Sequence, residues 1–424
     1  MIRDPCAGSF KCVRGAGDPL TIGDRVAFYR RRRGLAQATL AGLVGRSEDW
    51  LSKIERGERE IRRLDVLVEV ARALRVTLGD LLGEPVLMED DQKNDDVPAV
   101  RDALMAPQRL SKTLFGGGAE PEYVDPKPVA RWAEDAWSDY QGGRIGKVVA
   151  ALPRLIKTAQ QMESASGDGS YKRRCAAVSA RIHHLAATTL SKVGEADLAW
   201  IAAERAMQAA DTADDPLVLA SAARSGTHAL LAVGRFEDAL QLGDAAAKWL
   251  TPRMKDGDAG ALSLYGMLHL RSATAAARHQ DRGTANELLS KAENAAQSLG
   301  EDGNHWQTGF GPTNVALHRA SAGLDLGDIS YIVDQGQVDA SELPVERQVM
   351  HLIDYARTLS LLARDDDALQ VLLSAEDKSA QLVRHSAIAR EVVRTMYRRA
   401  PVTAGRKSSL LLALAEQCRA VSES

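Results

Sequence analysis

The sequence predicts an all-α protein, and three observations predict it. Apolar residues recur at helical spacing through residues 20–82 and again from Pro128 onward. Aromatic residues make up only 4% of the 424 residues, which suits helices built on Ala and Leu better than a strand sandwich. Short breaks interrupt the helical pattern at intervals of about 40 residues, the self-similarity of stacked helical hairpins. The hydrophobic fraction (45%) and charged fraction (26%) exclude wholesale disorder. No run approaches the ~18 apolar residues of a membrane helix. Residues 1–11 lack the basic-then-apolar layout of a secretory signal, so the expected compartment is the cytoplasm, with no membrane partner. Four cysteines, Cys6, Cys12, Cys175 and Cys418, make neither a disulfide framework nor a paired-cysteine zinc box.

The elements follow in chain order. Residues 1–19, rich in Gly, Pro and Asp, read as a flexible arm. Residues 20–84 read as a five-helix head, with helices over 22–33, 37–44, 48–56, 63–74 and 77–82. Ser47 is placed to cap the third of these, and Gly45 to make the turn before it. Ile22, Val26, Leu40, Ala41, Val44, Leu51, Ile54, Leu67, Val70, Ala71 and Leu74 fall at core spacing. Residues 85–127 carry an acidic run and Gly and Pro breaks, which predict a linker with room for a short helix over 97–114. Residues 128–424 read as six helical hairpins, with breaks near Gly142, Gly194, Gly234, Asp281, Gly327 and Arg364. Net charge is −3 overall, yet residues 1–84 carry +4 and the remainder −7. A basic head on an acidic body points the head toward a polyanion.

The head's residues Gly34-Leu35-x-Gln37, Leu40-Ala41, Val44-Gly45 and Trp50-Leu51-Ser52-x-Ile54-Glu55-Arg56-Gly57 carry a resemblance. They resemble the helix-turn-helix domain of Xre-type and lambdoid-phage repressor-like regulators. The resemblance implies a double-stranded DNA operator as partner, with the helix over residues 47–56 in the major groove. Carried over position by position, Glu48, Asp49 and Lys53 face bases, since Lys matches guanine and the acids match cytosine N4. Gln37, Arg46 and Ser47 face phosphate, and Ser52 and Arg56 share the same helix. Two departures stand out. Two acids lead the helix, complementing its dipole but repelling phosphate. The following segment is one residue longer than the common pattern, so Arg59, Arg62 and Arg63 are the expected phosphate contacts there. Arg30 to Arg33 read either as further phosphate contacts or as a solvated helix face, and Trp50 as a packing residue.

The body resembles a degenerate tetratricopeptide repeat, with Gly at the hairpin turns and Ala in the second helices. Stacks of this kind expose a concave groove lined by the first helix of each hairpin. Five histidines fall one per consecutive first helix, each with a polar or aromatic neighbour about one turn away. These are Arg181/His184, Arg224/His228, Tyr265/His269, Asn314/His318 and His351/Tyr355. Singly each reads as a core histidine; together they read as a polar groove for a small molecule or a peptide. The segment 300–320, with Trp306 and Phe310, is a distinctive loop. With residues 46–57 and 345–369 it makes most of the chain similar to actinobacterial regulators that join an Xre-type head to such a body. In similarly built peptide-sensing regulators inner-helix Asn side chains clamp the ligand, which singles out Asn314 ahead of Asn286 and Asn294.

No phosphate-cradling loop, nucleotide-binding Gly fingerprint, nucleophile elbow or metal box occurs, so no cofactor and no enzymatic activity are expected. The reading is a homodimeric transcription regulator whose DNA binding responds to an effector in the body. Its alternative is a regulator or adaptor acting through protein contacts of the repeats.

Overall fold

A computed structural model describes residues 22–32, 35–59, 61, 64–74, 81, 97–107, 114, 123–164, 167–254, 257–329, 332–333, 336–400, 409–418 and 420. The expected arm (1–19), most of the fifth head helix, and the whole acidic run (89–96) lie outside them. The chain divides into two compact units, residues 1–94 and 95–424. Among the described residues no helix is long and apolar enough to cross a membrane.

The head contains α1 (Ile22–Arg32), α2 (Gln37–Leu43), α3 (Glu48–Glu55) and α4 (Leu64–Leu74). Their boundaries fall within a residue of the sequence expectation. Val26, Leu40, Leu51, Val70 and Leu74 are fully enclosed, and Leu81 closes the same core. Ser47 caps α3 as expected, its hydroxyl accepting from the Trp50 amide at 3.2 Å. Gly23 on α1 lies so close to α3 that a Cβ there would meet the Ile54 carbonyl oxygen at 1.9 Å. The absence of a side chain at that one position lets α1 brace the helix-turn-helix pair.

The second unit begins earlier than the sequence predicts. Helix α5 (Val97–Leu104), expected inside a linker, packs against the body instead. Val97, Val100, Ala103 and Leu104 are buried, Arg101 pairs with Glu195 at 3.1 Å, and Gln160 donates to the Ala103 carbonyl. The acidic run hides this apolar stripe, because it ends just where the stripe starts.

The repeats are α6 (Pro126–Gln141), α7 (Ile145–Ser164), α8 (Gly169–Lys192), α9 (Ala196–Ala213), α10 (Pro216–Ala232) and α11 (Phe236–Met254). They continue as α12 (Ala259–Arg278), α13 (Arg282–Leu299), α14 (Pro312–Asp325), α15 (Val345–Leu361) and α16 (Asp365–Lys378). Helices α17 (Ala380–His385), α18 (Ala387–Arg399) and α19 (Ser409–Gln417) follow. All six breaks share one hydrogen-bond signature, from the residue after the turn to the carbonyl five before it. Arg144, Glu195, Arg235, Asp281, Asp328 and Arg364 donate these bonds at 2.8–3.0 Å. The left-handed turn residue is Gly at four breaks, and Gln280 (φ 63°) and Ala363 (φ 57°) at the others. One expected hairpin is incomplete. Between Gly327 and α15 the described helical residues are Ile329, Ile332 and Val333, and Gly336, in the left-handed region, and Pro344 bound the segment before α15.

The C-terminal end of the stack also touches its first two hairpins. Lys192, at the end of α8, pairs with Glu346 at the start of α15 at 2.5 Å. Ser379 donates to the Gly143 carbonyl at 2.8 Å, and Gln381 accepts from the Gly146 amide at 3.0 Å.

Candidate nucleic-acid interface and the polar centre of the repeats

In the head, Leu51 and Ile54 turn one face of α3 into the core. The rest follows from a helix period of 3.6 residues. Arg46, Ser47, Glu48, Asp49, Arg56 and Arg59 are exposed, and Ser52 and Lys53 are half-buried. Lys53 lies against Asp49 at 2.7 Å, one turn earlier, which holds the Asp49 carboxyl below the usual carboxylate range. The pair neutralises one of the two leading acids and lowers the repulsion of phosphate. Arg46 lies over the Trp50 ring, 5.8 Å from its centroid, and Trp50 packs on the head core. Arg56 pairs with Glu58 at 3.1 Å. Arg62 and Arg63 fall outside the described residues.

Gln37 and Arg30 do work that the sequence does not show. Glu55, at the end of α3, receives Arg30 through two nitrogens, at 2.5 and 2.7 Å, and the Gln37 amide at 2.8 Å. A third Arg30 nitrogen donates to the Leu35 carbonyl at 2.8 Å. Arg30 is therefore a structural tie between α1 and α3, not part of a solvated basic face. The Gln37 amide nitrogen is engaged within the protein, and Arg31 is exposed.

In the body, the expected open groove is crossed by the loop 303–310. A short antiparallel bridge joins Gly303 and Phe310, and Trp306, Gln307 and Gly309 all take left-handed backbone. Phe310 anchors the loop: it is fully buried, and a Cβ on Gly266 of α12 would meet its ring at 1.9 Å. From there the loop reaches three helices. Asn304 and Gln141 exchange amide hydrogen bonds at 2.9 Å, Gln307 donates to Glu134, and Arg181 donates to Gln307. Arg224 donates to the Gln307 carbonyl at 3.2 Å, and Arg181 lies over the Trp306 ring at 5.1 Å.

Five of the expected ligand residues converge beneath this loop: His184, Arg224, His228, Asn314 and His318 line one enclosed cavity of about 40 Å³. Arg181 and Trp306 form the adjoining wall of the loop. His184 lies 2.9 Å from the Ser221 hydroxyl and stands edge-on to Trp137. Arg347 donates to Asn314 Oδ1 at 2.7 Å and lies 3.1 Å from His318. Burial, reinforced by neighbouring arginines, pushes His184, His228 and His318 well below the ordinary histidine range, so they are neutral.

The other four do not join them. His269 stands edge-on to Tyr265 at 4.3 Å, and burial with Lys291 nearby lowers it to about 4. His351 and Tyr355 line a separate groove of about 470 Å³ beside α13 and α14, where Asn286 also lies. The cause is helical phase. On α12 the residue in register with His228 and His318 is Arg271, two positions beyond His269 and so about 200° around the helix. Sequence reasoning followed the histidines and missed Arg271. It also missed Lys192, Tyr140, Glu346 and Arg347, which reach the centre from helix ends.

The family profile described as a helix-turn-helix domain matches residues 21–84. The immunity repressor protein of Bacillus phage phi105 is 30% identical over 95 residues, 22% of this chain and 65% of the repressor's length. The chain therefore spans a little under two thirds of that relative. The crystal structure of Bacillus thuringiensis PlcR in complex with the peptide PapR7 and DNA aligns with a TM-score of 0.29 at 14% identity. It covers 66% of this chain and 96% of that one, a likeness too slight to carry an argument.

Proposed function

We propose that this chain, a helix-turn-helix protein of the Xre type with C-terminal helical repeats, is a sequence-specific DNA-binding transcription regulator. The observation that supports this reading most is the head's geometry: α3 is braced from behind by Gly23, Arg30 and Glu55, while its outer face stays exposed. That is the arrangement a major-groove helix needs. Lys53 reads a base after exchanging Asp49 for guanine, a cheap exchange because an exposed pair one turn apart is weak in water. Arg46, Ser47, Arg56 and Arg59 hold phosphate, with Arg62 and Arg63 extending the contact. Two copies place two heads on a two-fold operator, about one DNA turn apart. A small molecule or peptide held by the repeats modulates this binding, and His184, Arg224, His228, Asn314 and His318 are the residues assigned to it. The loop 303–310 and Arg181 cover them.

The test is selection from a random duplex library with the purified full-length chain at near-physiological salt. Enrichment of an inverted repeat is the expected result, and its half-site spacing reports head separation. Loss of sequence preference by the full-length chain, with and without cell extract of low molecular mass, would remove the DNA reading. A second reading has one observation in its favour. Trp200 on α9 and Trp249 on α11 are 41% and 60% exposed, as an outer surface that contacts another protein would be. Substituting both with Gln would then abolish regulation while leaving DNA binding intact.

A further inference from the structure

The centre of the repeats is built with more positive charge than it can pair. Arg224, Arg271 and Arg347 line it, Lys192 pairs with its Glu346 from the side, and the carboxylates that act on these four cations are Glu346 and Asp354. Glu346 is taken by Lys192 at 2.5 Å. Arg224 reaches only a carbonyl and His184, and Arg347 only Asn314 and His318. Arg271 has a buried Nε with no hydrogen-bond partner at all. The histidines between them are neutral, and Tyr140 is held in its neutral form by burial, so neither kind of group supplies the missing charge. Buried charge of one sign is costly unless a counter-charge meets it.

We infer that this cavity is the binding site of a small anion, a molecule presenting one phosphate or carboxylate group, held by Arg224, Arg271 and Arg347. The inference deepens the effector reading of the body and rests on it for any consequence at DNA. Guanidinium forks match both kinds of oxyanion, which is why arginine rather than lysine dominates such sites. A cavity of about 40 Å³ admits a group of that size, whether a free anion or the single anionic group of a larger effector. The loop 303–310 closes over it, with the Gln307 carbonyl already occupying one nitrogen of Arg224.

The experiment uses the full-length chain, with inorganic phosphate and acetate as probes and sodium chloride at matched ionic strength as reference. Calorimetric titration should show one saturable site for at least one probe, and the better probe identifies the head group. The melting temperature should rise by about 3–6 °C at roughly 100-fold excess over Kd. Arg271→Met should lose this site and, without any probe, should melt higher than the unsubstituted chain, because it removes an unpaired charge. Phosphate also stabilises proteins generically. An equal shift in both chains, or no saturable heat with either probe, overturns the anion site. Should Arg271→Met fail to fold, the titration of the unsubstituted chain and of Arg271→Lys decides, with weaker binding expected for the latter. Duplex affinity measured with and without the bound anion separates the two readings. Unchanged affinity ends the coupling and leaves the site standing; absence of duplex binding both with and without the anion ends the DNA reading alone.

Discussion

The head and the body handle charge in opposite ways. The head buries an apolar core, ties Arg30 to Glu55 behind α3, and, among the described residues, exposes Arg31, Arg46, Arg56 and Arg59. The body does the reverse: Arg224, Arg271 and Arg347 line its centre with Glu346 as the one carboxylate in the lining, although the unit as a whole is acidic. Exposed cations suit a polyanion that binds from outside and is lost as salt rises. Enclosed cations are screened little by salt and suit a single small partner. The same residue types thus serve a surface in one unit and a chamber in the other.

Acid should separate the two units most strongly. All nine histidines lie in the body and none in the head. Burial depresses six of them, with His269, His351 and His385 lowered to about 4 and His184, His228 and His318 well below 6.5. Groups neutral in the fold but protonated when unfolded contribute stability that is present above pH 6.5 and lost as pH falls below it. The expected loss is about 1.4 kcal/mol per pH unit for each histidine until its folded value is reached. Urea midpoints of the body between pH 7 and 5 should fall steeply while hydrogen exchange in the head stays level. Parallel decline in both would break the comparison.

Glu346→Ala comes next. It strands Lys192 and removes a carboxylate from among the central arginines, at a cost of about 3–5 kcal/mol read as a lower urea midpoint. The corresponding change in the head, Glu55→Ala, strands Arg30 and frees the Gln37 amide, at a cost of about 2–4 kcal/mol. It should weaken DNA binding only through unfolding, so folded protein should bind as before. Lys53→Ala should leave stability level and relax preference at one base position by roughly 5- to 150-fold in a competition assay. Smallest is Arg46→Ala, which should weaken every duplex alike and lower the salt slope by about one. A change of base preference for Arg46→Ala, or none for Lys53→Ala, would exchange their assigned roles.

Local patterns are legible in the chain because their causes are local. The boundaries of α1 to α4, the Ser47 cap and the six hairpin turns depend on residues within about one turn of each other, and the sequence carries all of that information. His184, His228, Asn314 and His318 were legible for the same reason, as positions on a helix face. Arg271 was not, because its choice over His269 depends on how α12 is rotated in the stack. The start of the body at α5 was not, because an apolar stripe of eight residues reveals its partner only when α7 is beside it.

By itself, then, the sequence determined the all-helical class, the helix-turn-helix head and the periodic body, since each is written in spacings along one segment. Tertiary structure alone decided that Arg30 and Gln37 meet Glu55, that Gln307 in the loop 303–310 meets Glu134, Arg181 and Arg224, and that Lys192 meets Glu346. Those contacts join residues tens to hundreds of positions apart, and they are set by the packing angles of whole helices, which no local pattern encodes.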